Sequence, residues 1–158
     1  VNVFINFEDI KSIHDLQKVS RDNVWQNFER LVAFIFEKNN FQVKINVIKT
    51  RNKKRRQYDV VARREGKTFL IECKKWAGNR YRLSALKAAI EKHQERAEFY
   101  RDLTREDVTP IVVTLIEEEI KFYENIPIVP IFKLNSFINE MDRGVDEYEQ
   151  WSNETIEK

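Results

Sequence analysis

The chain has 158 residues, of which 42% are apolar and 34% charged, with 11 Phe and a net charge of +2. That is one domain's length with enough apolar material to bury a core, which excludes a disordered chain. One Cys (Cys73), two His (His14, His93) and three Gly exclude a Cys/His zinc constellation, a disulfide framework and a glycine-rich phosphate loop. Apolar runs such as Leu31 to Phe36 fall far short of the roughly 18 residues of a membrane span. No secretory signal opens the sequence, so it reads as an intracellular, cytoplasmic protein without a membrane partner.

Residues 1–22 read as an N-terminal arm, irregular or with one short helix. Asp22 is placed to cap a helix over Asn23–Asn39, in which Val24, Phe28, Leu31, Val32 and Ile35 recur at helical spacing and the Asn39-Asn40 pair marks the end. Phe41, Val43, Ile45 and Val47 alternate, which predicts a half-buried strand over 41–48 with those four on one face. A basic loop at 51–56 follows, then a strand over Tyr58–Ala62, a tight turn at Arg64-Glu-Gly-Lys67 and a strand over Thr68–Lys74. A long helix spans about Leu83–Leu103, with Leu86, Ala89, Ile90, Ala97 and Tyr100 inward. Pro110–Ile116 reads as a strand buried on both faces. After an irregular or helical piece, Ile126–Leu134 reads as an edge or broken strand because of its two prolines. A helix over Asn135–Arg143 closes a domain of residues 23–143, and 144–158 form an acidic tail. The order α-β-β-β-α-β-(α)-β-α predicts an α/β fold, a mixed central sheet flanked by helices on both faces.

Charge is segregated along this order. Residues 41–105 hold 19 Lys/Arg against 7 Asp/Glu, and the remainder 9 against 19. Five cations fall within Arg51-Asn-Lys-Lys-Arg-Arg56. A solvated face is the ordinary reading of such a run, but this one lies between two strands at a sheet end, a position suited to gripping phosphates. Arg51, Lys53, Lys54, Arg55, Arg56, Lys75, Arg80 and Arg82 are the candidate nucleic-acid contacts.

Three carboxylates break the local pattern. In Thr68-Phe-Leu-Ile-Glu-Cys-Lys74 the odd residues Phe69, Ile71 and Cys73 face the core, while Glu72 and Lys74 share the other face. Asp59 opens the apolar run Val60-Val61-Ala62, where Asp is disfavoured, and the hairpin turn brings it toward Glu72 and Lys74. Glu29 interrupts the helix stripe Trp25–Glu29–Val32–Phe36. A cross-strand ion pair of Asp59 or Glu72 with Lys74, at an exposed sheet end, is the competing account. If the carboxylates do form a site, its donors are all oxygen, a set that suits Mg2+ with Mn2+ as a substitute.

Asp59 followed thirteen residues later by Glu72-Cys-Lys74 resembles the D…(D/E)-x-K signature of the PD-(D/E)XK nuclease superfamily. Phe28-Glu-Arg-Leu-Val32, Phe41-Gln-Val, Tyr58-Asp-Val-Val61 and Ile71-Glu-Cys-Lys-Lys-Trp76 are similar to Mrr-type restriction endonucleases and archaeal Holliday-junction resolvases, over about half of the chain. Tyr58 stands where the family's proline precedes the Asp. The resemblance implies a restriction-endonuclease-like α-β-β-β-α-β core and a metal-dependent endodeoxyribonuclease acting on DNA, conceivable as a homodimer. It implies that Asp59, Glu72 and the Cys73 backbone carbonyl ligate the metal, that Lys74 orients or deprotonates the attacking water, and that Glu29 completes the shell. Gln94, on the long helix, is a minor candidate, a position where related nucleases sometimes touch the site; an ordinary polar residue on a helix face explains it as well. Trp76 is open between base stacking and a core anchor. The rival readings are a catalytically silent nuclease-like domain that binds DNA or mediates assembly, and an RNA-processing member of the same fold.

Overall fold

The computed structural model describes residues 27–75, 82–118 and 120–143. In chain order these form helix α1 (27–38), strands β1 (Gln42–Arg51), β2 (Lys54–Arg64) and β3 (Lys67–Lys74), helix α2 (Arg82–Thr104), strands β4 (Asp107–Thr114), β5 (Phe122–Tyr123) and β6 (Ile126–Pro130), and helix α3 (Ile131–Asp142). The N-terminal arm, Asp22, Trp25, Trp76, Arg80, the side chain of Arg82 and the acidic tail lie outside the described residues.

The strands make one six-stranded sheet in the order β1-β2-β3-β4-β6-β5. The first three form an antiparallel meander, β3–β4 and β4–β6 pair in parallel, and β5 returns antiparallel to β6. A parallel β3–β4 pair requires a crossover, and α2 supplies it across one sheet face. On the opposite face α1 (Phe28, Leu31, Val32, Phe36) and α3 (Leu134, Phe137, Ile138) pack on Val60, Ala62, Phe69, Ile71 and Cys73. The expected mixed sheet with helices on both faces is what forms. Because α2 covers the even-numbered face of β3, Leu70 and Glu72 are buried as fully as their odd-numbered neighbours.

The end of α1 is set by the Asn39-Asn40 pair. Asn40 takes the left-handed conformation (φ 67°), Asn40 N–H donates to the Glu37 carbonyl at 3.0 Å and Phe41 N–H to the Phe36 carbonyl at 3.2 Å. This is a Schellman cap, and its customary apolar contact is present: the Phe36 and Phe41 rings meet edge-on at 5.1 Å.

β1 departs from the simple alternation expected of it. Val43 packs against the α1 side and Val47 against the α2 side, while Ile45 stays 36% exposed. The reason is Asn46, whose φ of 54° turns the strand over midway. Opposite it, Asp59 is missing from a β1–β2 register that is otherwise continuous from Gln42–Arg63 to Arg51–Lys54. β2 flips at the same place: Tyr58 faces α2, whereas Val60 and Ala62 face α1.

Three further expectations change. The basic segment is not a loop. Its turn is only Asn52-Lys53, both at positive φ (50° and 66°), and Lys54 to Arg56 are strand residues paired with Arg51, Thr50 and Lys49. Such a turn matches the twist of a hairpin, as does Glu65-Gly66 (φ 51° and 77°) between β2 and β3. Strand β4 begins three residues before Pro110 and ends at Thr114. The run expected as one edge strand over 126–134 splits at Pro130: β6 is an interior strand between β4 and the two-residue β5, and α3 begins at Ile131 with Pro130 as its cap residue. Both prolines fit because Pro127 faces the short β5 and Pro130 sits at the strand's last position.

The inward stripe of α2 is Leu86, Ile90, His93, Ala97 and Tyr100. His93 is polar among apolar neighbours and 1% exposed; its Nε2 bonds the Leu70 carbonyl at 2.8 Å, which pins α2 to β3. A carbonyl only accepts, so Nε2 carries the proton and Nδ1 is left without a hydrogen-bond partner. Burial lowers the imidazole pKa to about 4, against the pull of the Leu70 bond and of Asp59.

Two outcomes follow from these features. Asn46→Val, which forces a β-branched residue into the left-handed region, is expected to cost about 1–2 kcal/mol in urea unfolding, and Asn46→Gly to be nearly neutral. His93 is neutral in the fold but protonates in the unfolded chain below its ordinary value of 6.5. Its contribution to stability is therefore complete above that pH and shrinks as the pH falls toward 4. The difference amounts to about 3 kcal/mol. Unfolding of the wild type and of His93→Gln, followed from pH 7 to 4, should show the steeper loss in the wild type; parallel curves would remove His93 as the cause.

Candidate active site

β2 and β3 pair from Arg64–Lys67 to Val60–Ile71, and there the ladder ends, although β3 continues alongside β4 to Lys74–Thr114. Asp59 stands at the point of divergence, and the break at Asn46 has already removed it from the β1 ladder. Its carboxylate takes the place of the missing strand bond: Cys73 N–H donates to Asp59 Oδ2 at 2.9 Å. Lys74 carbonyl accepts from Leu115 N–H, so the even residues of β3 direct their backbone groups to β4 and the odd residues to β2. The Cys73 carbonyl thus lies on the same strand edge as the N–H that holds Asp59.

Glu72 projects from the α2 face and is 7% exposed. Lys74 Nζ stands 3.0 Å from Glu72 Oε1, and Arg96 Nη1, from α2, 3.5 Å from Oε2. Asp59, Glu72 and Lys74 therefore come together as the sequence spacing suggested, with Glu72 buried and Asp59 and Lys74 half-buried, not at a fully exposed sheet end. Glu29 lies on the half-buried flank of α1, one turn before Val32. It is close enough to Asp59 for the two charges to interact, with Lys75 acting on it in the opposite sense.

The electrostatics are those of crowded acids. Burial and then the neighbouring Glu72 charge raise the Asp59 pKa, opposed by the Cys73 N–H and Lys74. Burial and then Asp59 raise that of Glu29. Burial, followed by Asp59, Glu29 and Glu72, pushes the Cys73 thiol well above its ordinary value, so it stays a neutral core group. A buried carboxylate whose proton affinity is raised by a neighbouring acid marks a place where a cation is favoured. With the Cys73 carbonyl beside them, the donor set is all oxygen and fits a hard divalent ion. Among the described residues no three His, Cys, Asp or Glu side chains close into a metal-holding group; Glu29 is adjacent but not part of the pair.

The cations lie on several elements. Arg51 to Arg55 are exposed around the tip of the β1–β2 hairpin. Arg56 is already engaged: it bonds both oxygens of Glu95 (2.9 to 3.3 Å) and stacks 5.1 Å over Phe99. Lys75 is half-buried beside the site, while Arg80 and the Arg82 side chain are outside the described residues. Gln94 is half-buried and makes no side-chain hydrogen bond to the carboxylates among the described residues; the residue α2 places on Glu72 is Arg96. Arg96 follows the buried His93 by three positions, so its flank of the helix was readable, but its partner 24 residues away was not. Among the described residues no helix is long and apolar enough to cross a membrane.

Comparison with known proteins identifies the family and the fold. The family model Mrr_cat, "Restriction endonuclease", matches residues 20–110. A protein of Archaeoglobus fulgidus, named only as uncharacterized, is 35% identical over 117 residues, covering 74% of this chain and 91% of its own. Among solved structures, the small subunit of the heterodimeric restriction endonuclease R.BspD6I aligns with a TM-score of 0.50 at 15% identity, over 80% of this chain and 76% of that one. A protein of unknown function, AF1548, aligns with a TM-score of 0.43 at 22% identity over 70% of this chain, which spans about half (53%) of that protein's length. The family match embraces α1, the β1–β2–β3 meander and α2, the elements that carry Glu29, Asp59, Glu72 and Lys74, and the chain belongs to the Mrr-type restriction endonuclease family, with its restriction-endonuclease-like α/β fold.

Proposed function

We propose that the protein is a metal-dependent endodeoxyribonuclease that hydrolyses phosphodiester bonds in DNA, of Mrr-like restriction or junction-resolving type. The observation that carries this reading is the meeting of Asp59, Glu72 and Lys74 where the β2–β3 ladder ends. Asp59, Glu72 and the Cys73 carbonyl would hold Mg2+, or Mn2+ in its place. When bound, such an ion supplies Lewis acidity toward a phosphoryl oxygen and acidifies water.

The chain's own groups do the rest. Lys74, fixed by Glu72, is the cation that orients the attacking water and offsets the charge that gathers on the phosphoryl oxygens. Glu29, whose proton affinity is raised, lies at the α1 side of the site and can take a proton or position a water there. The hairpin cations Arg51, Lys53, Lys54 and Arg55, together with Lys75, Arg80 and Arg82, give the DNA backbone its counter-charge. Cutting both strands of a duplex from one such site per chain would call for a homodimer or two successive events. A second reading, a silent nuclease-like domain that binds DNA, draws support from the engagement of Glu72 by both Lys74 and Arg96.

Labelled linear duplex, four-way junction and single strand, each incubated with Mg2+, Mn2+ or chelator, decide between them. Cleavage is expected only with metal, and Lys74→Ala should slow it by roughly 10²-fold or more. Salt-sensitive binding without cleavage under any metal condition would leave the silent domain. The preferred substrate names the subclass.

A second outcome concerns Asp59 itself. Its carboxyl is harder to ionise in the fold than in the unfolded chain, so its charge costs stability at neutral pH. In chelator at pH 7, Asp59→Asn should melt at a higher temperature than the wild type. It should also lose the upward shift that millimolar Mg2+ gives the wild type. A variant still stabilised by Mg2+ would move the metal elsewhere.

A further inference from the structure

Beside the carboxylates, on the α2 face of the sheet, a cavity of about 500 Å3 opens between β2 and α2, lined by Arg55, Arg56, Gln57, Lys92, Glu95 and Arg96. Its charge is unevenly committed. Arg56 and Glu95 neutralise one another at 2.9 Å, and Arg56 is held further by Phe99 and by the Arg55 carbonyl, so this pair forms a fixed wall. Arg55 and Lys92 carry no ion pair among the described residues. Among the described residues the Arg96 guanidinium makes only the long 3.5 Å contact with Glu72. Lys92 and Arg96 are four apart on α2 and therefore share one side of the helix. The helix is anchored there from both directions, by the Tyr58 hydroxyl donating to the Arg96 carbonyl at 2.7 Å and by His93 on Leu70.

We infer that this cleft is a phosphodiester-binding subsite, in which Lys92 and Arg96 of α2 hold a DNA backbone phosphate flanking the one at Asp59 and Glu72. The inference rests on the nuclease reading for the direction in which the strand runs. Arg96 links the two places, because one side of its guanidinium lies against Glu72 and the residue also lines the cleft. A guanidinium in that position has donors for a phosphate oxygen while it still neighbours the carboxylate. The Arg56–Glu95 pair, which joins β2 to α2 along the cleft, gives the site a shape that a diffuse basic surface lacks.

The test uses the full chain and a labelled 20-base-pair DNA duplex in chelator, with affinity measured from 50 to 300 mM salt. Removing one cation that neutralises a phosphate should reduce the slope of log K against log[salt] by about 0.9. Lys92→Gln and Arg96→Gln are each expected to do so, and Arg96→Lys to restore the slope by keeping the charge. Lys67→Gln, at the far end of the β2–β3 hairpin, should leave it unchanged. Lys92 is exposed, so its variant remains informative if Arg96→Gln perturbs folding. Slopes unchanged in both α2 variants overturn the subsite, as does an equal drop in Lys67→Gln. The same slope reductions with duplex RNA but not DNA overturn the assignment to DNA. Cleavage of the duplex by the wild type in Mg2+ is scored separately: cleavage with unchanged slopes sinks the subsite and spares the nuclease, and reduced slopes without cleavage do the reverse.

Discussion

The hydrogen bond from the Cys73 N–H to the Asp59 carboxylate, at 2.9 Å, stands where the β2–β3 ladder would otherwise supply a backbone acceptor. A buried strand edge cannot leave its N–H unsatisfied without a penalty of about 1–3 kcal/mol, so once the strands diverge a side-chain acceptor has to reach across. Asp59 meets that need because the turn-over at Asn46 takes it out of the β1 ladder, while the β3 ladder ends one residue away at Val60–Ile71. The bond holds one carboxylate oxygen and aims the group at the gap into which Glu72 projects. One residue thus closes the strand edge and contributes a carboxylate to the candidate site, which lies at the break in the sheet.

Around that break the two sheet faces take different tasks. The α1–α3 face is a continuous apolar layer, closed by the Phe36, Phe41 and Phe69 rings at 5.1 to 6.3 Å. The α2 face is divided. One apolar cluster gathers on Tyr58 and Tyr100 and another on Leu86 and Ile90, and His93 lies between them on the helix stripe. Glu72, Arg96 and Lys74 occupy this face, so charge enters a layer that is otherwise packed. The buried imidazole is consistent with that division: it gives one hydrogen bond to β3 and adds no charge beside the carboxylates, since its pKa lies near 4.

Cation placement follows the same economy. Arg63 and Glu106 pair at 2.6 Å, with Thr68 bonded to the same carboxylate, and these hold Glu106 down to about 2, far from the site. Arg64 crosses Phe41 at 4.1 Å and bonds the Asn39 carbonyl, which ties β2 to the end of α1. Of the basic residues between 41 and 105, several are therefore structural ties. The cations without an ion pair among the described residues include Arg51, Lys53, Lys54 and Arg55 at the hairpin tip and Lys92 on α2.

Short-range rules made much of this legible in the residues alone. Asn39-Asn40 ended α1 because Asn tolerates the left-handed conformation. Glu65-Gly66 made a hairpin, the period of 3.6 marked α2, and the alternation of β3 placed Glu72 and Lys74 on one face. The D…ExK spacing then pointed to the family. Tertiary structure decided the rest, because it depends on which segments become neighbours. The reversal at Asn46, the interior place of the proline-bearing β6, the start of α3 at Ile131, the removal of Arg56 by Glu95 and the arrival of Arg96 on Glu72 have no local signature. A run such as Ile128–Phe132 suits a strand or a helix equally well by its own periodicity, and only the sheet and the helices packed on it select where one ends and the other begins.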